Sequence, residues 1–272
     1  MNAEQKISIA DWTEQLLSRG RWAFSLKEVK SVFSNHSDAA IKLSLNRLTK
    51  KGKIISVYRG YYLVVPPQYK TWGIIPAVQF IDGLMTHLNR DYYVGLLNAA
   101  ALHGSAHQAP QVFQVFTVFP FMNPIRKKGI KVIFINKNKL PPSDLLEKRK
   151  TVTGYVKVSK PALTAIDLIQ FQRRIGGMNR AATVIEELAE EIKPEEFDEN
   201  LIGYVPMTAL QRLGFLLELL GFEELADALY EKCLLSGKRL FKIPLKPGKK
   251  SNGSDANNRW NILQNITIET DL

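Results

Sequence analysis

The sequence predicts an α+β protein, and three observations carry that expectation. Helical periodicity fills the first fifty residues, β-branched and aromatic runs occupy 54–65 and 112–135, and helical spacing returns after residue 159. With 272 residues, 45% of them hydrophobic, the chain has enough apolar surface to fold and is long enough for two domains.

The first helix is expected over 7–19, where Ile7, Ile9, Trp12, Leu16 and Leu17 recur at near-helical spacing before Gly20. Ser25 with Glu28 forms a capping-box pair ahead of Val29, Val32 and Phe33, which predicts a short second helix. Ser37 caps a third, running to Lys51 and closed by Gly52. Residues 54–65 then read as two strands around a turn at Arg59-Gly60. Three helices followed by a hairpin is the order of a winged helix-turn-helix. Pro66-Pro67 closes that unit, so the expected domains are 1–66, DNA-binding, and 75–272, a larger mixed α/β domain.

Beyond the linker, helices are expected over Phe80–Asn89 and Val94–His103, and strands over Val112–Phe119, Lys131–Ile135 and Tyr155–Val158. Further helices follow Pro161, then span Ala181–Ile192 and Thr208–Leu220. A polar, turn-rich loop over 246–258 precedes a short amphipathic end, Trp260–Ile268.

Charge narrows the function. The net charge of +11 divides into +6 on residues 1–65, +7 on 66–150, −3 on 151–245 and +1 on 246–272. A one-sided positive field favours a polyanion, nucleic acid above all, over a neutral small substrate. The single cysteine, Cys233, excludes an intramolecular disulfide, and no charged-then-apolar leader opens the sequence. The longest apolar stretch, Val112–Met122, is shorter than the ~20 residues that cross a bilayer. A cytoplasmic protein without a membrane segment is expected.

Within the third helix, Ala40, Ile41, Ser44, Leu45 and Leu48 share one side, and Ala39, Lys42, Leu43, Asn46, Arg47 and Lys50 share the other. The outer side suits a major groove: Lys42, Asn46 and Arg47 for base edges, Leu43 for thymine methyls. Ser37, Lys50 and Lys51 suit phosphates, and Arg59 with Tyr61 at the hairpin tip suits a wing contact. The cluster Arg126, Lys127, Lys128 and Lys131 is a plain hairpin tip, a second polyanion contact or a surface for an acidic partner protein.

Catalytic signals are weak. His103 and His107 stand four apart, but Gly104 intervenes and neither His87 nor an acidic cluster completes a metal site. Asp144, Glu147 and Lys148 resemble a fragment of a nuclease site, yet their context reads as a capped helix start. No catalytic residue, metal or cofactor is expected. The rival reading is a metal-dependent nuclease, or a toxin-modifying enzyme, targeted by a winged helix. The acidic run from Glu186 to Glu199 reads as a solvated helix face.

Particular strings then resemble one family. They are Tyr58-Arg59-Gly60-Tyr61-Tyr62-Leu63-Val64, the run from Tyr93 through Leu96-Leu97 and Leu102-His103-Gly104 to Gln108 and Pro110-Gln111, Ser159-x-Pro161-x-x-Thr164-x-x-Asp167-Leu168, Gln211-Arg212-Leu213-Gly214, and Arg259-Trp260. They resemble the antitoxin and transcriptional regulator of AbiE-type, or type IV, bacterial toxin–antitoxin systems. That resemblance implies a winged helix repressing its own operon at upstream operator DNA, and a second domain neutralising a nucleotidyltransferase-like toxin. The run of Tyr93, His103 and Gln108 then has two readings, an antitoxin surface or helix packing, with packing favoured by the apolar spacing of Leu96, Ala99 and Ala100.

Overall fold

Ser8 begins the first helix by accepting from Asp11 N while Asp11 reaches back to the Ser8 backbone, so α1 (Ile9–Ser18) starts with two of its orphan donors satisfied. Trp12 and Leu16 face inward from it. The computed structural model describes residues 7–105, 110–250 and 256–270. After α1 come β1 (Ala23–Ser25), α2 (Leu26–Val32), α3 (Asp38–Lys50), β2 (Ile54–Tyr58) and β3 (Tyr61–Val64). The strands pair antiparallel in the order β1-β3-β2.

This is the winged-helix order, and it has its own core. Ile9, Trp12, Leu16, Phe24, Val29, Phe33, Ile41, Leu45, Leu48, Ile54 and Val64 form one buried cluster drawn from every one of these elements. Trp12 meets Phe24 and Phe33 edge-on, at 5.2 and 5.9 Å between ring centroids. Strand β1 adds to the sequence-based expectation: three residues are too short to show an alternation, and only pairing with β3 makes them a strand.

Two 3-10 turns, Pro67–Tyr69 and Ala77–Gln79, lead to α4 (Ile81–His87), β4 (Tyr92–Val94) and α5 (Leu96–Leu102). Then come β5 (Val112–Thr117), β6 (Ile125–Lys127), β7 (Ile130–Asn136), β8 (Leu146–Thr151) and β9 (Gly154–Ser159). β5 and β7 run parallel, β6 and β7 antiparallel, and Val94 of β4 pairs in parallel with Val158 of β9. The run before β8 is not a helix start: only the turn Ser143–Leu145 forms, and Leu146–Thr151 is strand. Its alternating burial suits a pleat better than a helical stripe.

Among the described residues five helices follow: α6 (Pro161–Gln170), α7 (Met178–Ala189), α8 (Glu199–Tyr204), α9 (Met207–Leu219) and α10 (Glu223–Leu235). Two short strands follow, β10 (Ile243–Pro244) and β11 (Ile262–Leu263), paired in parallel. The final stretch expected to be amphipathic is therefore partly strand. Trp260 is fully buried over Gly214 of α9, and Gln211 donates to the Trp260 carbonyl at 2.6 Å.

The chain divides into two compact units. Unit 1 comprises Met1–Tyr92, Gln111–Asn138 and Arg149–Val156, and unit 2 comprises Tyr93–Pro110, Lys139–Lys148 and Lys157–Leu272. Unit 1 holds 20 Lys and Arg against 7 Asp and Glu, a net +13, which leaves −2 on unit 2. Nine of the eleven basic residues of 66–150 thus fold into the same unit as the winged helix. Among the described residues no helix is long and apolar enough to cross a membrane.

Candidate nucleic-acid interface

Helix α3 presents the face that the sequence assigned to a groove. Ser37 accepts from Ala40 N at 3.2 Å and starts the helix, and Ile41, Leu45 and Leu48 anchor its inner side. Lys42, Leu43, Asn46, Arg47, Lys50 and Lys51 are all exposed on the outer side, Leu43 at 52%. None of these basic residues makes an ion pair among the described residues, whereas Lys30 pairs with Asp38 and Lys53 with Glu14. Their charge is available to a polyanion. Arg59 is exposed at the hairpin turn, where Gly60 supplies the left-handed residue at φ +73°.

Tyr61 lies elsewhere. It is 5% exposed, stacks on His87 at 5.2 Å, and its hydroxyl closes on Gly83, where a Cβ would stand 2.5 Å away. Burial, reinforced by Asp82, pushes its phenol well above the ordinary value. Strand alternation explains the placement: Tyr61 and Leu63, two apart, share the inward face of β3. That alternation is visible in the sequence, and it takes Tyr61 away from the exposed tip that Arg59 occupies.

The cluster Arg126, Lys127, Lys128 and Lys131 is exposed on the β6–β7 hairpin of unit 1. Lys128 and Gly129 both have positive φ, 47° and 81°, as a two-residue hairpin turn with the right twist requires. β6 packs beside β2, the outer strand of the wing. These cations and those of α3 therefore belong to one unit of one sign.

Residues 93–219 match the model of the AbiEi antitoxin C-terminal domain. This stretch belongs to the AbiE-type antitoxin family. An antitoxin role in a toxin–antitoxin system goes with it. The crystal structure of the RV2827C protein from Mycobacterium tuberculosis has a similar fold, with a TM-score of 0.67 over 93% of this chain and 89% of that one, at 14% sequence identity. No curated protein matches the chain in sequence.

Within the antitoxin domain, the strings that carried the resemblance meet in unit 2. Tyr93, fully buried, donates its hydroxyl to Asp167 at 2.8 Å, and burial next to that carboxylate raises its phenol well above the ordinary value. His103 Nε2 lies 2.8 Å from the Ser159 carbonyl, and the Ser159 and Thr164 hydroxyls share a bond of 2.6 Å. Tyr93 and His103 are thus interior residues, the first joining β4 to α6 and the second the end of α5 to β9. Gln108 and His107 lie outside the described residues. Tyr93→Phe is expected to lower stability by about 1–3 kcal/mol, read by thermal denaturation, because the buried Asp167 loses a donor.

The acidic run is only partly a solvated face. Glu190, Glu191, Glu195 and Glu199 are exposed, but Glu196 accepts from Ala162 N at 2.9 Å and caps α6, whose preceding Lys160 offers no side-chain cap. Burial raises the Glu196 carboxyl above the usual range. Asp198 caps α8 by accepting from Leu201 N. Asp144 accepts from Asn200, and Glu147 faces His103 at 3.6 Å. Cys233 is buried, and its thiol is pushed up to about 11.

Proposed function

We propose that the protein is the antitoxin and DNA-binding autorepressor of a type IV, AbiE-like toxin–antitoxin system. The winged helix within residues 1–66 reads operator DNA upstream of its own operon, and the domain over 75–272 neutralises a nucleotidyltransferase-like toxin. The observation that carries this reading is the outer face of α3, with Lys42, Asn46, Arg47, Lys50 and Lys51 exposed, and unpaired among the described residues, on a helix whose opposite side is core. Base edges fall to Lys42, Asn46 and Arg47, thymine methyls to Leu43, and phosphates to Ser37, Lys50, Lys51 and Arg59. Arg126, Lys127, Lys128 and Lys131 add a second polyanion contact. The protein is not an enzyme and works in the cytoplasm.

Counterion release dominates such binding. A gel-shift with the chain's own upstream region should therefore lose about a thousandfold in affinity between roughly 50 and 200 mM salt. A shift insensitive to salt, or none, would assign the winged helix to protein contact instead. Co-expression with the neighbouring toxin frame tests the second activity through restored growth.

A further inference from the structure

The exposed aromatic rings are concentrated in the basic unit. Trp72, Phe119, Phe121 and Tyr155 belong to unit 1, and among the described residues Phe241 is the only large exposed ring of unit 2. Trp72 stands out, at 64% exposed. It sits just after the turn Pro67–Tyr69, and its indole is not loose: the Tyr69 ring lies 5.6 Å away, tilted against it, and Trp22 braces Tyr69 edge-on at 5.9 Å. The next residue, Gly73, has the Lys128 stem passing over it, with Cε 3.7 Å from where a Cβ would be. Lys70, Thr71 and Lys127 are exposed nearby in sequence or on the same hairpin.

We propose that Trp72 and the lysines around it form a platform for single-stranded nucleic acid, in which an unpaired base stacks on the indole while Lys70, Lys127 and Lys128 take phosphates. Three physical points select this ligand. A braced ring offers a π-face at little entropic cost, and stacking accepts any base. Bases inside a duplex are already stacked on both faces, so a flat exposed indole gains nothing from intact operator DNA. A protein-docking tryptophan would sit among apolar neighbours, whereas Gln68, Lys70 and Thr71 before it and the Lys128 stem at Gly73 make these surroundings polar and cationic. The platform shares no residue with the α3 face, so it stands or falls independently of operator reading.

The test uses the full chain and fluorescently labelled oligothymidylate and oligouridylate of about twelve nucleotides, followed by anisotropy, with the operator duplex in parallel. Trp72→Ala should weaken single-strand binding about tenfold or more, Trp72→Phe should keep most of it, and both should leave duplex binding and melting temperature unchanged. Arg47→Ala should do the reverse, losing duplex and keeping single strands. Tighter oligouridylate binding would assign RNA, and equal binding would assign single strands of either sugar. The proposal is overturned if Trp72→Ala binds both oligonucleotides as the parent does, or if Trp72→Phe loses as much as Trp72→Ala. It is equally overturned if Trp72→Ala spares the oligonucleotides but abolishes association with the toxin, which would make the indole a protein anchor.

Discussion

Arg47→Ala is expected to weaken operator binding by about 1–3 kcal/mol, roughly tenfold to a hundredfold, and to flatten the preference among operator variants at one base pair. The side chain is exposed on the outer face of α3 and makes no ion pair among the described residues, so its removal leaves the fold intact. Arg59→Ala should behave differently. At the hairpin turn it meets the backbone, so affinity should fall evenly across sequences and the salt dependence should become shallower by about one phosphate. Tyr61→Phe is a control from the opposite side: its ring is packed on His87, and operator affinity should not follow it. All three variants should still protect cells from the toxin. If Arg47→Ala shifts the operator as well as the parent, α3 is not the reading helix.

The largest effect on stability is expected at Gly214. An alanine Cβ there would stand 2.1 Å from two carbons of the Trp260 ring, well inside contact distance. The ring has nowhere to go. Trp260 is fully buried, Tyr230 abuts it edge-on at 5.2 Å, and Gln211 of the same helix holds its carbonyl. The neighbouring Arg259 is tied to Glu218 and, at 2.6 Å, to Asp227. Gly214→Ala should therefore cost about 3 kcal/mol and lower the melting temperature on the order of 10 °C. The double variant Gly214→Ala/Trp260→Ala should be no less stable than Trp260→Ala alone, since the clash then has no second party. An unchanged melting temperature in Gly214→Ala would show that the C-terminal segment does not pack on α9.

The second prediction rests on residues whose types stand out in the sequence but whose partners do not. Gln211 and Gly214 stand in one string and Trp260 in another, 46 positions beyond Gly214, and nothing local links a helix glycine to a distant indole. Tyr93 and Asp167 are comparable: their spacing gives no sign of a shared hydrogen bond, and only the tertiary fold brings β4 and α6 together. Glu196 and Asp198 read as solvated charge because a cap on another helix, or on a six-residue helix, leaves no periodic trace.

What the sequence determined alone was whatever depends on neighbours a few residues away. The caps at Ser25 and Ser37, the inner stripe of Ile41, Leu45 and Leu48, the outer basic face of α3 and the turn at Arg59-Gly60 all follow from helix and strand period and from hydrogen bonds spanning three residues. The tertiary structure decided whatever needs distant partners. It made a strand of Ala23–Ser25 and another of Leu146–Thr151, turned Tyr61 inward against Gly83, and gathered the basic residues of 111–138 into the unit of the winged helix. Pairing and close approach between remote segments have no signature in local period, and that is why the +13 of one unit emerges only once the chain is folded.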